Sequence, residues 1–174
     1  MRRVIVAIVI AIVLVLAAVT ACTGSSASGP ATTAVAPKPS PAEIDGTLRD
    51  FLHHFENLEW EPFIAAFTDD ACVFHPTAAT PRAFCGRDAV RAKWQQVFDE
   101  TRKDAKGPPY MSLVPRDLRI TILGSDAALA TFELVNDKRH ARRSVVFVRR
   151  DGAWKIVHIH ASNVPWPDMP TAAP

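Results

Sequence analysis

The chemistry-bearing residues cluster near the end of the chain, in residues 154–165, WKIVHIHASNVP. In an unbroken strand, alternation sends Trp154, Ile156, His158, His160 and Ser162 to one face and Lys155, Val157, Ile159 and Ala161 to the other. Two imidazoles and a hydroxyl side by side can donate and accept hydrogen bonds, and a protonated imidazole becomes a receptor for anions. His-x-His on a strand is also a bidentate metal pair, but no third ligand stands at a matching spacing, so neither a metal nor any other cofactor is expected. Carboxylates for proton transfer are scarce: Glu133 is the one well inside the strand-rich half, and Asp69 and Asp70 read as a helix-to-strand turn, TDDA. The chain carries no glycine-rich phosphate loop, no Cys-x-x-Cys and no Gly-x-Ser-x-Gly elbow.

The elements that must position these groups are legible from periodicity. Ile44, Leu48, Phe51, Leu52 and Phe55 recur at helical spacing after Pro41 and predict a first helix ending near Asn57. Trp60, Phe63, Ile64 and Phe67 predict a short second helix with Pro62 in its first turn. CVFHP reads as a short strand stopped by Pro76, and GRDAVRAKWQQVFDETRK as a third helix with Ala89, Val90, Trp94, Val97 and Phe98 on one stripe. After GPP come four strand-like runs, 111–123, 127–135, 142–149 and 153–162, separated by turns such as LGSD and RRDG. Helix, helix, strand, helix and then an antiparallel meander is an α+β order. In the last two runs both faces are largely apolar, whereas a sheet wetted on one side alternates. One layer of helices covers one face, so a second subunit is the economical cover for the other, and a homodimer is expected.

The ends set the compartment. MRRVIVAIVIAIVLVLAAVTAC has a basic start, an apolar run over residues 4–19 and small residues before Cys22, the layout of an export signal. The apolar run is slightly shorter than the roughly 20 residues of a membrane-spanning helix. Residues 23–41 are almost wholly Ala, Pro, Ser, Thr and Gly, a composition that stays an unfolded tether. The proline-rich close, PWPDMPTAAP, reads as a frayed end or an arm lying on a partner. The expected organisation is a signal peptide at 1–21, a tether at 22–42, one folded domain at 43–165 and a flexible tail at 166–174. Without Arg2 and Arg3, 18 basic side chains balance 18 acidic ones, which leaves no electrostatic footprint for nucleic acid. Cys72 and Cys85 are an even pair that, in an oxidising compartment, either bridge or pack as two thiols.

VTAC resembles a bacterial lipobox. That resemblance implies cleavage before Cys22 and lipidation of its sulfur, hence a lipid-anchored protein of the cell envelope. Thr23 is not the aspartate that retains lipoproteins in an inner membrane, so the anchor falls in an outer membrane, on its periplasmic side, where one exists. The folded part, through FTDDACVFHP, GRDAVRAKWQQVF, DLRITILGSDAALATFEL and RRDGAWKIVHIHAS, resembles the SnoaL-like branch of the nuclear-transport-factor-2-like superfamily. Its close, WKIVHIHAS, is similar to the association domain of calcium/calmodulin-dependent kinase II. The resemblance implies a cystatin-like α+β cone, a curved antiparallel sheet wrapped round a long helix with a pocket inside, and a dimer formed through the outer face of the sheet. It places Arg142, at the start of the penultimate strand, and Ser144 beside His158, His160 and Ser162, with His75 at the pocket mouth; Tyr110, just before the first long strand, is placed to close the rim. Such a pocket suits a small carboxylate-bearing or otherwise polar-headed apolar molecule. Enzymes on this fold, among them isomerases, dehydratases and hydrolases, need a carboxylate or a His–Asp couple in the cone. The lack of one argues for binding without turnover, with His160 as the candidate base and Arg142 as its oxyanion partner if a reaction occurs. A third reading is a dimeric module that presents a surface to an envelope protein.

Overall fold

The structure is a computed structural model, and it describes residues 38–76, 82–136 and 139–165. The chain divides into Met1–Ala36 and Pro37–Pro174. The expected signal peptide, Cys22, the expected tether as far as residue 37 and the expected tail from residue 166 lie outside the described residues.

Within the second unit, Ser40 starts the first helix, α1 (Pro41–Glu56). Its hydroxyl accepts from the Glu43 amide, and the Glu43 carboxylate accepts from the Ser40 amide at 2.9 Å, so each satisfies a donor the helix end leaves open. Pro39 is already buried. Pro39 and Ser40 therefore belong to the fold, within the stretch to residue 42 that the sequence assigns to the tether. Ile44, Leu48, Phe51 and Leu52 form the buried stripe of α1. A short helix, α2 (Trp60–Ala65), buries Phe63 and Ile64. The next element is β1 (Phe67–Phe74), longer than the expected CVFHP strand: TDDA lies within it and is not a turn. A two-residue strand, β2 (Phe84–Cys85), precedes α3 (Arg87–Asp104), which buries Val90, Trp94 and Phe98 at successive intervals of four.

Four long strands follow: β3 (Arg116–Ile122), β4 (Ala127–Asn136), β5 (Arg139–Arg150) and β6 (Ala153–Pro165). The sheet order is β2-β1-β6-β5-β4-β3. The sheet is curved and does not close. All its pairs are antiparallel except β1 with β6, which run parallel. The RRDG turn joins β5 to β6 with positive φ at both central residues, 51° at Asp151 and 79° at Gly152, the twist a two-residue hairpin needs. Cys72 and Cys85, directly opposite each other in β1 and β2, are joined by a disulfide.

The helices pack on one face of this sheet, where Val73, Ala128, Ala130, Phe132, Val145, Phe147, Ile156 and Ile159 are buried. Phe63 stands at the centre of the core and is fully buried. Among the described residues, no helix is long and apolar enough to cross a membrane.

One irregularity in β6 decides which side chains see the core. Phe147 pairs with Ile156 but Val146 pairs with His158, so Val157 is an extra residue with no partner of its own. This β-bulge reverses the alternation of everything after it. Trp154 and Ile156 face inward with Arg149 and Phe147; beyond the bulge it is Ile159, Ala161 and Asn163 that face inward, and His158, His160 and Ser162 that face outward.

Candidate functional site

Between the inner face of the sheet and helices α1 and α3 lies a cavity of about 660 Å³, within the usual range for small-molecule sites. Its sheet wall is built in rungs fixed by strand register. The deepest is apolar, with Val73, Ile159 and Val145 aligned across β1, β6 and β5. The next aligns Ala161, Arg143 and Phe132 across β6, β5 and β4, and His75, just past the end of β1, follows at that side. The outermost aligns Asn163, Ala141 and Leu134. Phe51, Leu52 and Phe55 of α1 and Trp94, Val97 and Thr101 of α3 form the opposite wall. The segment 111–114 lies at the mouth, where the Tyr110 amide donates to the Glu56 carbonyl at 2.8 Å and the Leu113 amide to the Glu56 carboxylate.

The polar groups gather toward the outer rungs. The Arg143 guanidinium donates from one terminal nitrogen to the Arg142 carbonyl at 2.8 Å and to the Ser162 carbonyl at 3.0 Å. Both its terminal nitrogens stand 3.5 Å from Asn163 Oδ1. These contacts hold the planar group in one orientation, which is how arginine presents a fork to an anion. The His75 ring meets Trp94 edge to face at 5.9 Å. Burial, reinforced by the Lys93 and Arg143 cations and opposed by Glu100, pushes His75 down to about 4. It is therefore neutral at pH 7, able to donate one hydrogen bond and accept another. Among the described residues lining the cavity, Arg116 and Arg143 carry charge and none is Asp or Glu.

His75 makes stability depend on pH. The unfolded chain takes up this proton near 6.5 and the folded chain only near 4, so stability falls as pH drops between those values. The expected result is that His75→Gln flattens the decline between pH 6.5 and 4 in urea titrations; a decline of unchanged steepness would contradict the assignment.

Of the residues singled out in the sequence, His75 lines the cavity. Tyr110 packs half-buried against the core beside the mouth, holding it through its backbone. Arg142, Ser144, His158, His160 and Ser162 do come together, with Arg142 opposite Ser162 and Ser144 opposite His160, but on the convex face. The expectation that they line the pocket is corrected: the Val157 bulge turns the two histidines and Ser162 outward, and Arg142 and Ser144 face outward by the unbroken alternation of β5, in which Phe147, Val145 and Arg143 point inward. Rings of both histidines lie against Phe74 there, at 5.9 and 5.6 Å. Glu133 also faces outward and pairs with His140 at 2.7 Å. Asp69 is ion-paired with Arg87 on the surface. Of the two described cations in the lining, Arg143 is one position from the residue expected, and Asn163 and Asn136 line the wall with it. RRS gave a signal for an arginine at this end of the strand but not for which of the two faces inward. Among the described residues, no three His, Cys, Asp or Glu side chains are grouped to hold a metal.

Three helices on one face of a curved, unclosed six-stranded sheet, with an apolar cavity between, define the nuclear-transport-factor-2-like, cystatin-like class. The SnoaL-like domain model matches residues 44–167, and the chain belongs to that family. It is similar in structure to a nuclear-transport-factor-2-like protein from Pseudomonas putida (23% identity, 70% of this chain and 84% of that one, TM-score 0.58). A cystatin-like fold protein from Caulobacter vibrioides (19% identity, 73% and 90%, TM-score 0.58) and the association domain of calcium/calmodulin-dependent kinase II from C. elegans (15% identity, 70% and 93%, TM-score 0.52) are also similar. At these identities the likeness shows the fold. No curated protein matches the sequence significantly.

Proposed function

We propose that the protein is a lipoprotein of the cell envelope that binds a small, polar-headed apolar molecule in the cavity and releases it unchanged. The observation that carries this reading is the cavity itself: about 660 Å³ of largely apolar wall, with an arginine, an asparagine and a neutral histidine converging near its outer end. A general base works best with a pKa near the operating pH. His75 at about 4 is too weakly basic for that role at neutral pH, and the described lining supplies no carboxylate in its place. His160, the candidate base, lies outside the cavity, which weakens the reading as an isomerase, dehydratase or hydrolase.

The anchor is the lipid on Cys22 implied by VTAC, and the domain hangs from it by the Ala/Pro-rich tether. The convex face carries Leu129, Val146 and Val148 partly open beside Phe74, which suits association with a second copy, as does the likeness to an association domain.

Native mass spectrometry of the chain purified from a bacterial envelope fraction tests these together. The expected spectrum is a dimer of chains beginning at a lipid-modified Cys22, with a small molecule retained and lost on activation. A chain that keeps its first residues would overturn the anchor. Ligand-free protein that also fails to take up any apolar probe would overturn the binding role.

A further inference from the structure

Granting that the convex face associates with a second copy, we infer that the contact is closed by a divalent metal ion of the zinc class, held by His158 and His160 of each chain. The inference rests on the proposed dimer and begins with what these two imidazoles lack. Elsewhere His53 lies 3.3 Å from the Asn57 side-chain amide, His54 2.6 Å from the Glu59 carboxylate and His140 2.7 Å from the Glu133 carboxylate. His158 and His160 make no such bond to any described residue, and each ring lies against Phe74 instead. Their nitrogens are left to water, so turning the rings toward a shared ion breaks no hydrogen bond within the described fold. His160 is exposed and His158 half-buried, on the face away from the cavity.

Two residues of strand rise put the two Cα atoms about 7 Å apart, a spacing at which both rings can close on one ion at nitrogen–metal distances of about 2.0–2.1 Å. Imidazole nitrogen suits zinc, copper and nickel. One chain supplies only this pair, since no third His, Cys, Asp or Glu is grouped with it among the described residues. Water must fill the remaining positions, whereas a closed tetrahedral site takes four protein ligands. A two-fold axis passing between the rings supplies the second pair, because an isologous contact brings the same patch of both chains together. The strand that carries the histidines is third of the six, so such an axis runs near the middle of the sheet. Phe74 and Cys72 flank the pair on β1, and Ser144 and Val146 on β5, followed by Thr131 and Leu129 on β4. Ser144 and Val146 are short side chains that let the partner's imidazoles approach, and Phe74, 41% exposed, gives the ion an apolar margin once the face is covered.

The test is native mass spectrometry of the full chain in detergent micelles, exchanged either into EDTA or into a buffer holding free Zn²⁺ at the nanomolar level. The expected result is one ion per two chains, with the dimer about tenfold or more tighter in Zn²⁺ than in EDTA. His158→Gln and His160→Gln should each remove the ion and the dependence on it, while His53→Gln, at an exposed histidine of α1, should leave both unchanged. Co²⁺ in place of Zn²⁺ should give the intense visible absorption of a tetrahedral centre. A dimer equally tight in EDTA and free of metal would overturn the metal site and leave the dimer standing. One ion per chain, an ion retained by folded His158→Gln or His160→Gln protein, or the pale spectrum of six-coordinate Co²⁺ would also overturn it. Monomers under both conditions would overturn the proposed dimer together with the site.

Discussion

Phe63→Ala is expected to cost about 3–5 kcal/mol, as complete removal of a buried aromatic side chain does. Phe63 is fully buried, and its ring centroid lies 5.0 Å from Phe51, 5.2 Å from Phe55, 5.6 Å from Phe67, 5.1 Å from Trp94 and 4.8 Å from Phe98. Those neighbours come from α1, β1 and α3, so one ring from the shortest helix joins every element that roofs the sheet. Its loss leaves a cavity lined by five aromatic rings, each held by its own backbone, and such a site collapses poorly. Typical domains are stable by only about 5–15 kcal/mol, so the variant would lose roughly a fifth or more of its margin. Urea denaturation followed by tryptophan fluorescence measures it, Trp94 being in direct contact with the deleted ring. A loss below about 1 kcal/mol would show that the packing at this centre is not as described.

The second large effect is expected from the disulfide. Cys72 and Cys85 are 13 residues apart, and closing a loop of that size restricts the unfolded chain enough to stabilise the fold by about 3 kcal/mol. The bridge secures β2, which is only two residues long, to β1 at a directly opposed pair. One residue later the Gly86 amide donates to the Ala71 carbonyl at 2.9 Å, and α3 begins. Trp94 and Val97 of that helix wall the cavity, so the bridge also fixes where the wall starts. The expected result is that a membrane-impermeant reductant, or the double variant Cys72→Ala, Cys85→Ala, lowers the denaturation midpoint to the same degree. Indifference to reductant together with two titratable thiols in the folded protein would refute the bridge.

The fold was legible because its signals are local and repeated. Apolar residues at intervals of three and four placed all three helices, and Asp-Gly between two apolar runs marked the β5–β6 hairpin. β2 was not legible, since two residues hold no period and Phe84 and Cys85 pair with β1 through contacts that no short window contains. The length of β1 was obscured by Asp69 and Asp70, exposed acidic residues of the kind that also fill turns.

The site was half legible. His75 stood out as a lone polar group closing an apolar strand. The assignment of the other residues depended on parity along β6, and parity is not a local property: Val157 is as good a strand residue as its neighbours, and only the partner strand shows it to be supernumerary. The extra residue exchanged the histidines for Ile159, Ala161 and Asn163 in the cavity wall, while the unbroken alternation of β5 from Phe147 and Val145 puts Arg143 there in place of Arg142. The kind of chemistry expected, a guanidinium and an imidazole at the end of an apolar hollow, is the kind found; the atoms that supply it are different ones.

The open sheet has two margins, and neither invites another strand. On one side β2 ends after two residues and is sulfur-linked to its neighbour. On the other, β3 is interrupted between Arg116 and Arg119, with Asp117 at a φ of 50°, and its exposed charges would have to be stripped of water by any incoming chain. Both rims are thus blunted against runaway fibre growth. The association of two copies proposed above falls instead to the broad outer wall of the sheet, where an isologous contact is self-limiting.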